Sequence, residues 1–92
     1  MKVLSENEIT AKLKKIPGWE FHNNSITKKF ELKDFKGALA FVNKIGAEAE
    51  KMDHHPDILI HSWNKAKITI STHSAGGVTR NDFSLAKKIE EI

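Results

Sequence analysis

Apolar residues in this chain recur at two spacings, and the spacing changes mark the elements. Ile9, Leu13 and Ile16 step by three and four, as one face of a helix does. Ser5 precedes them with Glu8 three residues on, the pattern of a capping box, and Pro17-Gly18 stops the helix. Trp19 to His22 then alternates apolar and polar, and Asn23-Asn24 reads as a turn into a second arm, Ser25 to Leu32. Ile26, Phe30 and Leu32 share one face of that arm; Thr27 and Lys29 take the other. Asp34 opens the longest helix, where Phe35, Ala38, Leu39, Val42, Ile45, Ala49 and Met52 form a broad stripe. Gly46 inside it costs about 1 kcal/mol relative to alanine, which predicts close packing against another backbone. The helix is expected to end near His54, because Pro56 biases His55 away from helical dihedrals.

Asp57 to Trp63 and Ala66 to His73 predict a second hairpin. A two-residue turn at Asn64-Lys65 would put His61 and Trp63 on the face of Ile68 and Ile70. A three-residue turn, Trp63-Asn64-Lys65, pairs Ser62 with Ala66, Ile60 with Ile68 and Ile58 with Ile70. The second choice keeps one face apolar, and register follows the buried face. Ser74 to Gly77 is a flexible joint, Thr79 caps a last helix with Asp82 at the capping-box position, and Phe83, Leu85, Ala86, Ile89 and Ile92 form its stripe. The order α-β-β-α-β-β-α predicts one α+β domain over residues 1–92, a four-stranded antiparallel sheet with three helices on one face. The other face would expose Leu59 and Trp63, which suggests association with a second copy.

Composition narrows the function classes. Ninety-two residues suffice for one compact domain, and with no cysteine, disulfides, thiolate chemistry and cysteine-based zinc sites are excluded. The chain has no apolar run of membrane-spanning length, and its N-terminus lacks the apolar core of a signal peptide, so a soluble cytoplasmic protein is expected. The net charge of +3 is carried by dispersed lysines and one arginine, Arg80, a pattern of solvated helix faces rather than of a nucleic-acid surface.

Candidate chemistry gathers in histidines. His54 and His55 fall at a helix-to-strand joint, and His73 ends a strand that pairs with the one His55 leads into, so both lie at one end of the sheet. Imidazoles titrate near neutrality and suit proton transfer, although a histidine at a helix C-terminus is also favoured by the dipole alone. Zinc is the rival reading for three histidines and an acid, but no His pair has the i, i+4 spacing of a helical ligand pair. Glu50 lies one helical turn before His54 and could orient a neighbouring histidine; Asp82 could do so too, or could simply cap. Trp19 and Trp63 read as core or interface residues, and His22 and His61 as surface residues.

Glu50, His54-His55-Pro56, Trp63, His73 and Asp82, at these spacings, resemble the signature of the pterin-4a-carbinolamine dehydratases. Pro17-Gly18-Trp19, Phe30, Phe35, Ala38, Phe41, Ala49-Glu50 and Gly76-Gly77 extend the resemblance over nearly the whole chain. Two departures fall at the second hairpin tip: the longer of the family's gaps before Trp63, and a tryptophan where tyrosine is more usual. The resemblance implies dehydration of 4a-hydroxytetrahydropterin to a quinonoid dihydropterin, with no metal or organic cofactor. It implies catalytic roles for His54, His55 and His73, with His54 and His73 moving protons and His55 holding the substrate. Asp53 and the segment Ser71, Thr72, His73, Ser74 match its pterin-binding positions, and Glu50 and Asp82 would support the histidines. It further implies a homodimer or homotetramer formed through the sheet, a link to phenylalanine hydroxylase, and, for some relatives, service as dimerisation partners of transcription factors.

Overall fold

A computed structural model describes residues 2–92. The elements are α1 (Glu6–Leu13), β1 (Glu20–His22), β2 (Ser25–Glu31), α2 (Phe35–Met52), β3 (Asp57–His61), β4 (Lys65–Ile70) and α3 (Arg80–Glu90), the expected order. The strands form one antiparallel sheet, β1-β2-β4-β3, so the two hairpins join through β2 and β4, and β3 is an edge.

Each helix starts where its capping chemistry sits. Ser5 and Glu8 close a capping box on α1, Asp34 accepts the Gly37 N–H at the start of α2, and Thr79 and Asp82 close a second box on α3. Asn23 and Asn24 both take positive φ, as the tight turn between β1 and β2 requires. Period-two alternation then separates the faces of the sheet. Ile26, Ala66, Ile68 and Ile70 are fully buried and pack with Ile45, Ala49, Leu85, Ala86 and Ile89 of the helices. Leu59, Lys67 and Lys29 lie side by side across the other face.

Five local expectations need correction. The second hairpin does have a three-residue connection, but it is Ser62-Trp63-Asn64, and Ile60 pairs with Ala66 and Ile58 with Ile68. This is a slip of two residues from the expected pairing, so the apolar face is preserved. Ser62 and Trp63 both take positive φ, and Asn64 anchors the loop to the chain beyond β2. Its side-chain amide donates to the Leu32 carbonyl, and its backbone carbonyl accepts the Leu32 N–H. Strand β4 therefore ends at Ile70, short of His73. The stripe on α2 is rotated from the expected one: Phe41 is buried, whereas Phe35 and Leu39 are exposed. Ile92, expected in the stripe of the last helix, lies beyond the end of α3 at Glu90 and is likewise exposed. Finally, a Cβ placed on Gly46 would meet nothing within 4 Å, so no close backbone approach explains that glycine. No helix among the described residues is long and apolar enough to cross a membrane.

Candidate functional site

The geometry begins with how α2 stops. Asp53 takes a left-handed conformation (φ 50°, ψ 46°) just past Met52. The His54 N–H then reaches back to the Ala49 carbonyl (3.0 Å), the six-to-one bond of a Schellman-type end. This turn removes His54 from the helical face it would share with Glu50. The two histidines diverge accordingly. His54 turns inward, its side chain only 11% exposed, and its Nε2 lies 2.5 Å from Oδ1 of Asp82 on α3. His55 turns outward, and its Nε2 lies 2.6 Å from Oε2 of Glu50. Glu50 therefore partners His55 and not His54.

Asp82 is fully buried, and every oxygen of it is used. Oδ2 accepts the Thr79 N–H at 2.7 Å and the Thr72 hydroxyl at 3.0 Å; Oδ1 faces His54. The Thr72 and Thr79 hydroxyls lie 2.7 Å apart. One carboxylate thus ties the start of α3, the end of α2 and the segment after β4. Its place in the first turn of α3 favours negative charge there. Among the described residues, no hydrogen bond reaches Nδ1 of His54, and no buried side-chain nitrogen is left without a partner. Nδ1 is consequently open to solvent.

His73 follows Thr72 directly. Thr72 bridges to Gly77 through a backbone hydrogen bond (2.9 Å), and the chain between them turns through His73 and Gly76, the latter at φ +79°. His73 and Ser74 are exposed at this turn. His73, Ser71 and Thr72 line a cleft of about 300 Å³ with Asn23, Asn24 and Ser25 of the first hairpin. Neither His54 nor His55 lines that cleft. Thr72 and Asp82 form the covalent and hydrogen-bonded path from His73 to His54. Asp53 is exposed beside His54.

The raised basicity of His55 has a visible cause. Its hydrogen bond to Glu50 holds the imidazolium; desolvation opposes this, and the charges of Glu50 and Asp53 add to the first effect. Among the described residues there is no cluster of three or more His, Asp or Glu side chains placed to hold a metal ion. The sequence marks Thr79 only as a helix cap. Its hydroxyl contact with Thr72 joins residues seven apart across a turn, which no local pattern signals.

Comparison with known proteins places this arrangement among relatives. A family model described as pterin 4 alpha carbinolamine dehydratase matches residues 2–92. A protein of Sulfolobus acidocaldarius with a provisional pterin-4-alpha-carbinolamine dehydratase name is 48% identical over 89 residues, 97% of each chain. A Picosynechococcus protein with the same provisional name is 44% identical over 89 residues, 97% of this chain and 96% of its own. The crystal structure of a transcriptional coactivator/pterin dehydratase from Brucella melitensis superposes with a TM-score of 0.93 at 35% identity, covering 98% of this chain and 97% of that one. A pterin dehydratase-like protein described as a RuBisCO assembly factor in the alpha-carboxysome shares the fold, with a TM-score of 0.64 at 16% identity over 79% of this chain.

Proposed function

This chain belongs to the pterin 4 alpha carbinolamine dehydratase family, and from that premise we propose that it dehydrates 4a-hydroxytetrahydropterin to the quinonoid dihydropterin. The observation that carries the reading is the buried His54–Asp82 pair, in a chain matched from end to end by a dehydratase family. The reaction breaks the C4a–O bond and releases water. Hydroxide leaves poorly until it is protonated, so an acid must serve the 4a-hydroxyl. The electron pair of the adjacent ring nitrogen forms the new C=N bond, and a base takes that nitrogen's proton. In this reading His54 and His73 move these protons and His55 holds the substrate. Asp53, Ser71 and Ser74 contact the pterin, and Glu50 and Asp82 support the imidazoles to which they are bonded. The residues named need no metal or organic cofactor for these steps.

The reading also sets the surroundings. A cytoplasmic tetrahydropterin-dependent hydroxylase, such as one acting on phenylalanine, would supply the carbinolamine. Leu59 and Trp63 are more than half exposed on or beside the edge strand β3, which supports a homo-oligomer formed through the sheet. A second reading, a coactivator-type dimerisation module, draws on the double description of the Brucella relative. Turnover distinguishes the two. Carbinolamine generated in place by a hydroxylase should lose water faster with the wild-type chain than in buffer. His54→Ala and His73→Ala should each be at least tenfold slower, and a chelator should change nothing. A wild-type rate equal to buffer removes the enzyme reading and leaves the module.

A further inference from the structure

We infer that Thr79 and Thr72 are positioning residues: a one-way hydrogen-bond relay from Thr79 through Thr72 to Asp82 that fixes the His54 proton on Nε2 and leaves Nδ1 as the nitrogen offered to a ligand. The inference deepens the dehydratase reading and rests on it for its catalytic consequence.

A hydroxyl has one proton to donate. Oδ2 of Asp82 lies 3.0 Å from the Thr72 hydroxyl and 2.7 Å from the Thr79 N–H, in a capping box at a helix start that favours the ionised acid. A carboxylate only accepts, so Thr72 spends its proton on Asp82. The 2.7 Å contact between the two threonines then has one possible polarity, Thr79 donating and Thr72 accepting. The Asn81 N–H, which donates to the Thr79 hydroxyl at 3.3 Å, continues the same direction. Every link points at the carboxylate. With two donors on Oδ2, the remaining oxygen, Oδ1, takes its proton from His54 Nε2 at 2.5 Å.

Burial makes this polarity binding on the imidazole. Thr72 and Thr79 are buried and Asp82 is fully so, which leaves no water to supply a substitute donor. His54 with its proton on Nδ1 would turn a lone pair towards a carboxylate lone pair. The neutral ring therefore carries its proton on Nε2, and the solvent-open Nδ1 carries the lone pair. Protonation of His54 occurs at Nδ1, which is the atom that would give or take a proton. Thr72 thus acts through Asp82: its N–H is bonded to Gly77, its carbonyl accepts from Ala75 and Gly76, and its hydroxyl is committed.

The test uses the 92-residue chain labelled with ¹⁵N at histidine, observed through long-range ring correlations at mildly alkaline pH. Wild-type His54 should show a protonated-type Nε2 and an unprotonated-type Nδ1. Thr72→Val should shift both nitrogens towards an averaged pattern and lower kcat by about ten- to a hundredfold with KM changed less, as expected for loss of a hydrogen bond to a charged group. Thr72→Ser, which keeps the hydroxyl, should restore both readouts. A wild-type His54 protonated on Nδ1 overturns the inference, even if Thr72→Val does not fold. So does a folded Thr72→Val with wild-type nitrogen shifts. If the wild-type chain gives the Nε2–H pattern but turns over no carbinolamine, the relay stands and the dehydratase reading falls.

Discussion

Removing the Asp82 carboxylate is the most severe single change the structure identifies outside the apolar core. In Asp82→Ala three donors lose their acceptor: the Thr79 N–H, the Thr72 hydroxyl and the His54 ring. The loss of the capping interaction alone costs about 1 kcal/mol. Each buried donor left unpaired adds roughly 1–3 kcal/mol. These contributions overlap, because the same oxygens serve them, and about 3–5 kcal/mol is the net expectation. A chain of this length has roughly 5–14 kcal/mol of stability to lose. Asp82→Asn should cost less, about 1–2 kcal/mol, since its carbonyl can keep Thr72 and Thr79 while its amide faces His54. It would, however, oblige His54 Nε2 to accept, moving the ring proton to Nδ1. Asn at 82 should therefore retain most of the stability and lose most of the activity. Urea unfolding followed by tryptophan fluorescence measures the first quantity and carbinolamine turnover the second. A loss below about 1 kcal/mol for Asp82→Ala would refute the assignment of Asp82 as the acceptor of all three donors.

Other expectations follow from single features. The His55 midpoint should lie above its ordinary 6.5, because the Glu50 hydrogen bond holds the imidazolium. That contribution to stability is full below about pH 6.5, the unfolded value, and is lost as pH rises through the raised folded midpoint. In Glu50→Gln, a proton-NMR titration should show the midpoint fall back towards 6.5. Gly46→Ala should raise stability by roughly 0.5–1 kcal/mol, a rise of several degrees in Tm by calorimetry, since nothing stands where its methyl would go. Asn64→Ala should lose about 1–3 kcal/mol in the same calorimetry, because the buried amide that pins the hairpin loop to Leu32 disappears.

What could be read from the chain follows from which interactions are local. All three helix starts were legible, because caps and capping boxes lie within four residues. The parity of every strand was legible for the same reason. The pairing of β3 with β4 was not, because a slip of two leaves the apolar face unchanged and a period-two pattern cannot distinguish the alternatives. The choice falls to Asn64 and Leu32, thirty-two residues apart. Likewise, apolar character marks Phe35 and Leu39 as core, whereas the packing of α2 on the sheet and α3 buries Phe41 and leaves those two exposed. The site residues stood out as residue types at fixed spacings, but their wiring did not. A helical wheel sets Glu50 beneath His54, and one left-handed residue, Asp53, breaks that geometry. Short polar side chains tolerate this conformation better than most, so an Asp before His-His-Pro is a signal of a Schellman-type stop.

The central claim is that three imidazoles separated along the chain serve one pterin. Titrating the histidine-labelled chain with a stable dihydropterin product analogue tests it directly. The account predicts that the His54, His55 and His73 signals move together and saturate at one equivalent, while His22 and His61 stay still. Signals of His73 that remain fixed while those of His54 saturate would contradict it.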